Sequence, residues 1–273
     1  DAYQQTYNYV GTPGTDPATN LVYGQARSVL TKNATPQDNR SVVVSPDAMA
    51  ASVNGFTGFN NPTQEVGKQY ITGNIGRVAG LDFNETVNIN RHTVGASDGA
   101  YAVTTTSVEG ASTIVVETGT GTWLKGDILE VAAVNAVNPL SKQTTGDTMK
   151  FVVTANYAGG AGTVSVSPTM YATGPLQNVD ALPQAAALIS EPGTLSTAYD
   201  QNIAYHKNAF AIATLDLPMY GNTDFESRMN FDGISMRLEK VVDGINDDFL
   251  YRFDVLYGFI TTVPRFACRI WGA

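Results

Sequence analysis

The chain has 273 residues, 15% of them charged, and a formal net charge of −9. That length can bury a real core and implies more than one domain. No run of 18 apolar residues offers a membrane-spanning helix, and the acidic balance argues against a DNA- or RNA-binding module, which needs a basic face.

Residues 1–14 are polar, dotted with tyrosine, and read as an extended lead-in. Asp1 stands where a start methionine would be and no signal-peptide pattern follows, so the chain is expected to begin inside a longer protein. Thr15-Asp16-Pro17 offers a capping side chain and then Pro in a first turn. Leu21, Val22, Ala26, Val29 and Leu30 recur at helical steps, which predicts an amphipathic helix over 17–32. Val42-Val43-Val44 is a short buried strand. Ser45 caps and Pro46 opens a second helix ending near Asn54-Gly55, and Pro62–Ile71 is a third. From Gly73 to Gly95 glycines break up short strands, at 76–80 and 86–89. Helices interleaved with strands predict an α+β domain.

Composition shifts near Thr104. From there to about Tyr171 the chain is rich in Thr, Val and Gly, without helical period. Strands are expected at 113–117, 127–131, 148–153 and 163–167, separated by glycine turns, which suggests a small β-barrel or sandwich. Leu182–Ser190 is an Ala-rich helix candidate stopped by Pro192-Gly193. Asn202–Ala213 reads as strand, tight turn, strand, with Leu217–Tyr220 as an exit loop.

The last forty residues carry the clearest pattern. Ile234, Met236 and Leu238 alternate with Ser235, Arg237 and Glu239, the period of a half-buried strand. Asp243-Gly244 supplies a turn. Phe249, Tyr251, Phe253, Val255, Tyr257 and Phe259 then share one face, with Arg252 and Asp254 on the other. At ~3.3 Å per residue that run reaches ~35 Å, about twice a typical strand. A further strand follows Pro264, with Phe266, Cys268 and Ile270 opposite Arg265 and Arg269. Such a meander cannot close a core alone. It suits a flat platform that packs a helix on one face and meets neighbours at its edges.

No residue set stands out as catalytic, cofactor-binding or metal-ligating. His92 and His206 sit in no nucleophile context and are far apart in sequence, so they read as structural or surface residues. Cys268 is the only cysteine. It excludes an intrachain disulfide and reads as a small buried hydrophobe. Asp243–Asp248 lacks the ligand alternation and closing Glu of an EF-hand and reads as a charged hairpin turn. Thr118–Thr122 is Gly-rich but is not followed by the Lys-Ser/Thr or the helix of a phosphate loop. The sequons at Asn33, Asn39 and Asn84 are assigned no function, and Trp123 and Trp271 read as packing residues.

Several passages in order resemble tailed-bacteriophage major capsid proteins: Asn88–Gly95; Trp123–Asp127, Val137–Pro139, Phe151–Thr154 and Val164–Pro168; Asn202–Ala213; and Asp254–Gly258 with Val263–Arg265 and Ala267–Ile270. The chain is most similar to the coat proteins of short-tailed Salmonella-type phages that carry an inserted domain. The resemblance covers roughly 70–95, 107–170 and 200–273 well and 1–70 more loosely.

It implies an α+β, Hong Kong 97-like capsid fold. The capsid core would comprise 1–105 and 172–273, with a small all-β domain inserted at 106–171. Within that core, 15–105 with 172–220 would resemble the axial domain and the C-terminal meander the peripheral domain. The insert would project outward and aid folding and size control. The family's N-terminal arm, extended loop and most of its spine helix precede Asp1. The implied role is structural, not enzymatic: a virion protein, assembled in the bacterial cytoplasm, that forms hexamers and pentamers of a shell around double-stranded DNA without reading its sequence. No cofactor and no membrane are implied, and scaffolding and portal proteins are the expected partners. The isolated chain is expected to stay small in solution. The alternative from composition is an extracellular β-rich adhesion or carbohydrate-binding module.

Overall fold

The hydrophobic pattern builds a mixed α/β structure dominated by strands. The computed structural model describes residues 2–56, 73, 75–97, 100–117, 119–221 and 225–273; the helix expected at Pro62–Ile71 lies outside them. A 3-10 turn at Ala2–Gln5 leads into β1 (Tyr9–Val10), α1 (Asn20–Lys32), β2 (Arg40–Val44) and α2 (Pro46–Phe56). There follow β3 (Arg77–Val78), β4 (Leu81–Glu85) and β5 (Arg91–Thr93). Next come β6 (Ala111–Val116), β7 (Ile128–Val137), β8 (Thr144–Val153), β9 (Gly162–Met170) and β10 (Ile189–Ser190). The chain ends with β11 (Ala198–His206), β12 (Phe210–Leu215), β13 (Phe225–Phe231), β14 (Ile234–Asp243), β15 (Asp248–Thr261) and β16 (Ala267–Trp271).

Three sheets result. A seven-stranded sheet runs β1-β16-β11-β2-β4-β3, with β5 also paired to β11; a five-stranded sheet runs β10-β7-β8-β9-β6; a four-stranded ribbon runs β12-β15-β14-β13. The chain divides into two compact units, 1–209 with 263–273, and 210–262. The ribbon is the second unit.

In the first unit, α1 and α2 bury Tyr23, Ala26, Leu30, Met49 and Phe56 with Val42, Val44 and Phe83 of the seven-stranded sheet. α2 starts as the sequence predicts, with the Ala48 N–H 3.3 Å from Ser45 Oγ. α1 begins three residues later than expected: Thr19, not Thr15 or Asp16, is the N-cap, and it makes no side-chain capping bond. The reason lies in packing. The Pro17 carbonyl is engaged from the side by Ser52 Oγ at 2.7 Å and Tyr23 Oη at 3.2 Å, which holds 17–18 outside the helix.

Gly55 fits against this segment. A Cβ there would sit 1.7 Å from the Ala18 carbonyl oxygen. Gly55→Ala would gain up to about 1 kcal/mol of helix propensity, but the backbone contact must then open. The expected net result is a loss of about 1–3 kcal/mol, read as a lower urea midpoint with an unchanged slope.

Three expectations fail. Leu182–Ser190 is not helical: its end forms β10 on the five-stranded sheet, and backbone bonds from Ala186 to the Val103 carbonyl and from Val103 to the Ala187 carbonyl hold it extended. Residues 86–89 form no strand; the chain pairs at 81–85 and 91–93 instead. The strand after Pro264 is not the third strand of the meander. Phe266 belongs to a 3-10 turn, and β16 joins the seven-stranded sheet between β1 and β11. All five β16 residues are buried, so its alternation of Arg with apolar residues marks two buried faces rather than one wet face.

Candidate interaction surface

The ribbon is amphipathic, with one apolar face that is exposed. Directly paired residues of antiparallel strands share a face. Met236 pairs with Val255, Leu238 with Phe253, and Met229 with Met236, while Ile212 pairs with Phe259 across β12. This places the odd-numbered apolar residues of β15 and β13 on one side with the even-numbered ones of β14 and β12. On that face Phe253 is 67% exposed, Met229 70% and Ile212 78%.

The opposite face carries charge and is covered only around its centre; Leu250, Leu256 and Ile260 on it remain exposed. Arg237 and Glu239 are only 3% and 2% exposed. Arg237 donates to Asp254 Oδ2 from Nη2 at 2.6 Å and from Nε at 3.2 Å, and to the Pro218 carbonyl from Nη1 at 2.6 Å. Its guanidinium lies 4.8 Å over the Tyr220 ring. Arg252 reaches Asp254 at 2.9 Å and also bonds Glu239. The hydrogen bond from Arg237, with Arg252 adding its charge, holds the Asp254 carboxyl below the usual carboxylate range. Glu226 accepts from the Tyr220 and Gly221 N–H groups at 2.8 and 3.0 Å. The exit loop 216–221 is thus strapped across the charged face. The alternation in sequence separates the two faces; it gives no sign that the exit loop would cross the polar one.

A second polar cluster joins the five-stranded sheet to the seven-stranded one. Asp127, at the entry to β7, accepts from the Leu124 N–H at 2.6 Å and the Gly95 N–H at 3.2 Å, and lies 2.7 Å from His92 Nε2. The His92 and Asp127 side chains are 5% and 1% exposed. Beside them Arg269, fully buried, donates from Nε to the Thr6 carbonyl and from Nη1 to the Gly126 carbonyl, both at 2.8 Å. Burial pushes its pKa down to about 9, which leaves the guanidinium charged at neutral pH. Gly126 adopts φ +104°, and a Cβ there would meet His92 Cε1 at 3.2 Å, so this turn needs glycine for both conformation and space. Lys150 and Glu130 complete the junction by bonding the Tyr9 carbonyl and hydroxyl at 2.9 and 2.8 Å.

The other residues singled out in sequence are dispersed. His206 is buried and accepts from the Asn208 N–H at 3.2 Å. Trp123 is in the five-stranded sheet's core and donates to Glu191 Oε2 at 2.7 Å. Trp271 packs edge-on against Tyr9 and Tyr199. Asp243 accepts from the Ile245 N–H and the Asn246 amide within an exposed turn. Thr118 lies outside the described residues. Among the described residues no group of three His, Cys, Asp or Glu side chains is placed to hold a metal ion, and no helix is long and apolar enough to cross a membrane.

Cys268 is a free, fully buried thiol on β16. Burial pushes its pKa from 9.0 up to about 12. The folded state therefore holds the proton longer than the unfolded one, so the stabilisation is complete below pH 9 and is lost as pH rises towards 12. Wild type is expected to lose more stability across this window than Cys268→Ala, compared by urea titration at each pH. At pH 8 the thiol should react with a maleimide only after unfolding.

The family described as P22 coat protein, gene protein 5, matches residues 10–270. The major capsid protein of Acyrthosiphon pisum secondary endosymbiont phage 1 is 29% identical over 225 residues, covering 74% of this chain and 52% of that protein. The chain thus spans about half the length of the curated relative it matches. The solved CUS-3 coat protein I-domain is similar at 24% sequence identity and a TM-score of 0.28, covering 36% of this chain and 99% of that one. Since the family match takes in nearly all of the sequence, this chain belongs to the P22 coat protein family.

Proposed function

We propose that the chain is a shell-building part of a phage major capsid protein with a Hong Kong 97-like fold, in which copies tile an icosahedral shell as hexamers and pentamers around double-stranded DNA. The observation that carries this reading is the family match over residues 10–270. The ribbon supports it: a 14-residue strand in a sheet with one bare apolar face is a surface built for contact. The net charge of −9 suits DNA held without being bound.

In this reading 1–105 and 172–273 form the capsid core and 106–171 the inserted β-domain. Modest contacts repeated around the shell multiply into a stable particle, which resides in the virion. Scaffolding and portal proteins are the partners such a shell requires. Electron microscopy of the full-length coat polypeptide, expressed with its scaffolding partner, tests the proposal. Closed particles of uniform size are expected; dispersed protein under those conditions overturns it.

A further inference from the structure

We propose that Gln201, Arg269 and Trp271 bind a buried water molecule between the seven-stranded and the five-stranded sheet. Three polar atoms there have no hydrogen-bond partner among the described residues: Gln201 Oε1, Arg269 Nη2 and Trp271 Nε1. The residues are only 1%, 0% and 2% exposed, so bulk solvent does not reach these atoms. Register brings them together. Gln201 on β11 stands directly opposite Trp271 on β16, and Arg269 stands opposite Ile203, two residues along. Opposed residues share a sheet face, and so do residues two apart on one strand, so all three project from the same side. That side is turned away from α1 and α2, whose core takes Ala204, Cys268 and Ile270 from the alternate positions. It faces the five-stranded sheet, where Trp271 packs with Ile128 of β7.

The bonds already made settle which groups remain. Gln201 Nε2 donates to the Tyr199 carbonyl at 3.2 Å, so Oε1 is the acceptor left over. Arg269 Nε and Nη1 are taken by the Thr6 and Gly126 carbonyls, so Nη2 is the remaining arm. Tyr9 and Tyr199 hold the Trp271 ring edge-on, which fixes its N–H. Opposed Cβ atoms in such a pair lie ~5 Å apart and diagonal ones ~7–8 Å, short enough for these long side chains to share one small ligand. The set is one acceptor and two donors. An anion would suit Arg269 and Trp271 but be repelled by the Gln201 oxygen, and a cation would be repelled by the guanidinium. Water accepts from the two N–H groups and donates to the oxygen, the usual complement of a buried water. Leaving such groups unpaired costs more than immobilising one water. The bound water joins β11 to β16 through their side chains, in the layer that also holds His92 and Asp127.

A crystal structure of this chain tests the assignment. The expected result is one water oxygen within about 3.2 Å of all three atoms. In solution, magnetic relaxation dispersion of the water oxygen counts long-lived bound waters. Gln201→Met is expected to show one fewer than wild type, and Gln25→Met, on the exposed side of α1, the same number. Should Gln201→Met fail to fold, Trp271→Phe deletes one donor and is expected to shorten the residence time of the same water. Direct hydrogen bonds among the three side chains, an anomalous peak at the site after a bromide soak, or equal water counts in wild type and Gln201→Met each overturn the proposal. None of these results bears on shell assembly, which is read on the full-length polypeptide by microscopy.

Discussion

Asp127→Ala is expected to lower the unfolding free energy of the first unit by about 3–5 kcal/mol, the cost typical of removing one member of a buried charged cluster. Two backbone N–H groups, of Leu124 and Gly95, and His92 Nε2 all lose their oxygen partner at once, and Arg269 loses a carboxylate whose charge favours its buried guanidinium. Asp127→Asn keeps one carbonyl oxygen but turns an NH₂ group towards donors, so an intermediate loss of about 1–3 kcal/mol is expected. Urea unfolding followed by circular dichroism supplies both numbers. If Asp127→Ala costs less than about 1 kcal/mol, the range of a single exposed contact, the junction between the two sheets is not held by this cluster.

The second large effect is expected at Trp123. It is 1% exposed, its ring centroid lies 4.3 Å from that of Tyr101 and 5.7 Å from that of Tyr157, and its indole N–H donates to Glu191. Trp123→Ala should cost about 3–5 kcal/mol, because a rigid three-ring cluster collapses poorly around the missing indole. Trp123→Phe keeps most of the packing and removes the hydrogen bond, so about 1–2 kcal/mol is expected. The two variants separate packing from polar anchoring. Trp271 sits in a different cluster, with Tyr199, Val94 and Ile128, so its fluorescence in either variant reports whether the seven-stranded side unfolds together with the five-stranded one. Coincident transitions are expected, since the Asp127 cluster ties the two together.

Local pattern reaches far in this chain and then stops at identifiable places. The alternation in β14 and β15 reads directly as strand, because a period of two survives any tertiary context. The glycine-separated Thr/Val runs between 111 and 170 likewise mark their strands, though β7 and β8 each extend several residues beyond the expected ends. Which sheet a strand joins is another matter. β16 follows the ribbon in sequence yet pairs with β1 and β11, a partnership set by residues more than sixty positions away. Arg269 looked like a surface charge because arginine usually is one. Its burial depends on carbonyls from Thr6 and Gly126, which no local window contains. β13 was missed for the same reason: Phe225–Phe231 mixes charged and apolar residues and becomes a strand by pairing with β14. The resemblance to phage coat proteins was legible because it rests on ordered motifs rather than on contacts.

The way the ribbon leaves and re-enters the rest of the chain has a mechanical consequence. The Val263 N–H donates to the Ala209 carbonyl at 3.2 Å, so the outgoing and returning backbones stand side by side at the root. Fifty-three intervening residues, 210–262, are therefore an excursion from one point. Both backbones continue into neighbouring strands of one sheet, β11 and β16. Replacing the excursion by a short turn would therefore leave the flanking ends already in register.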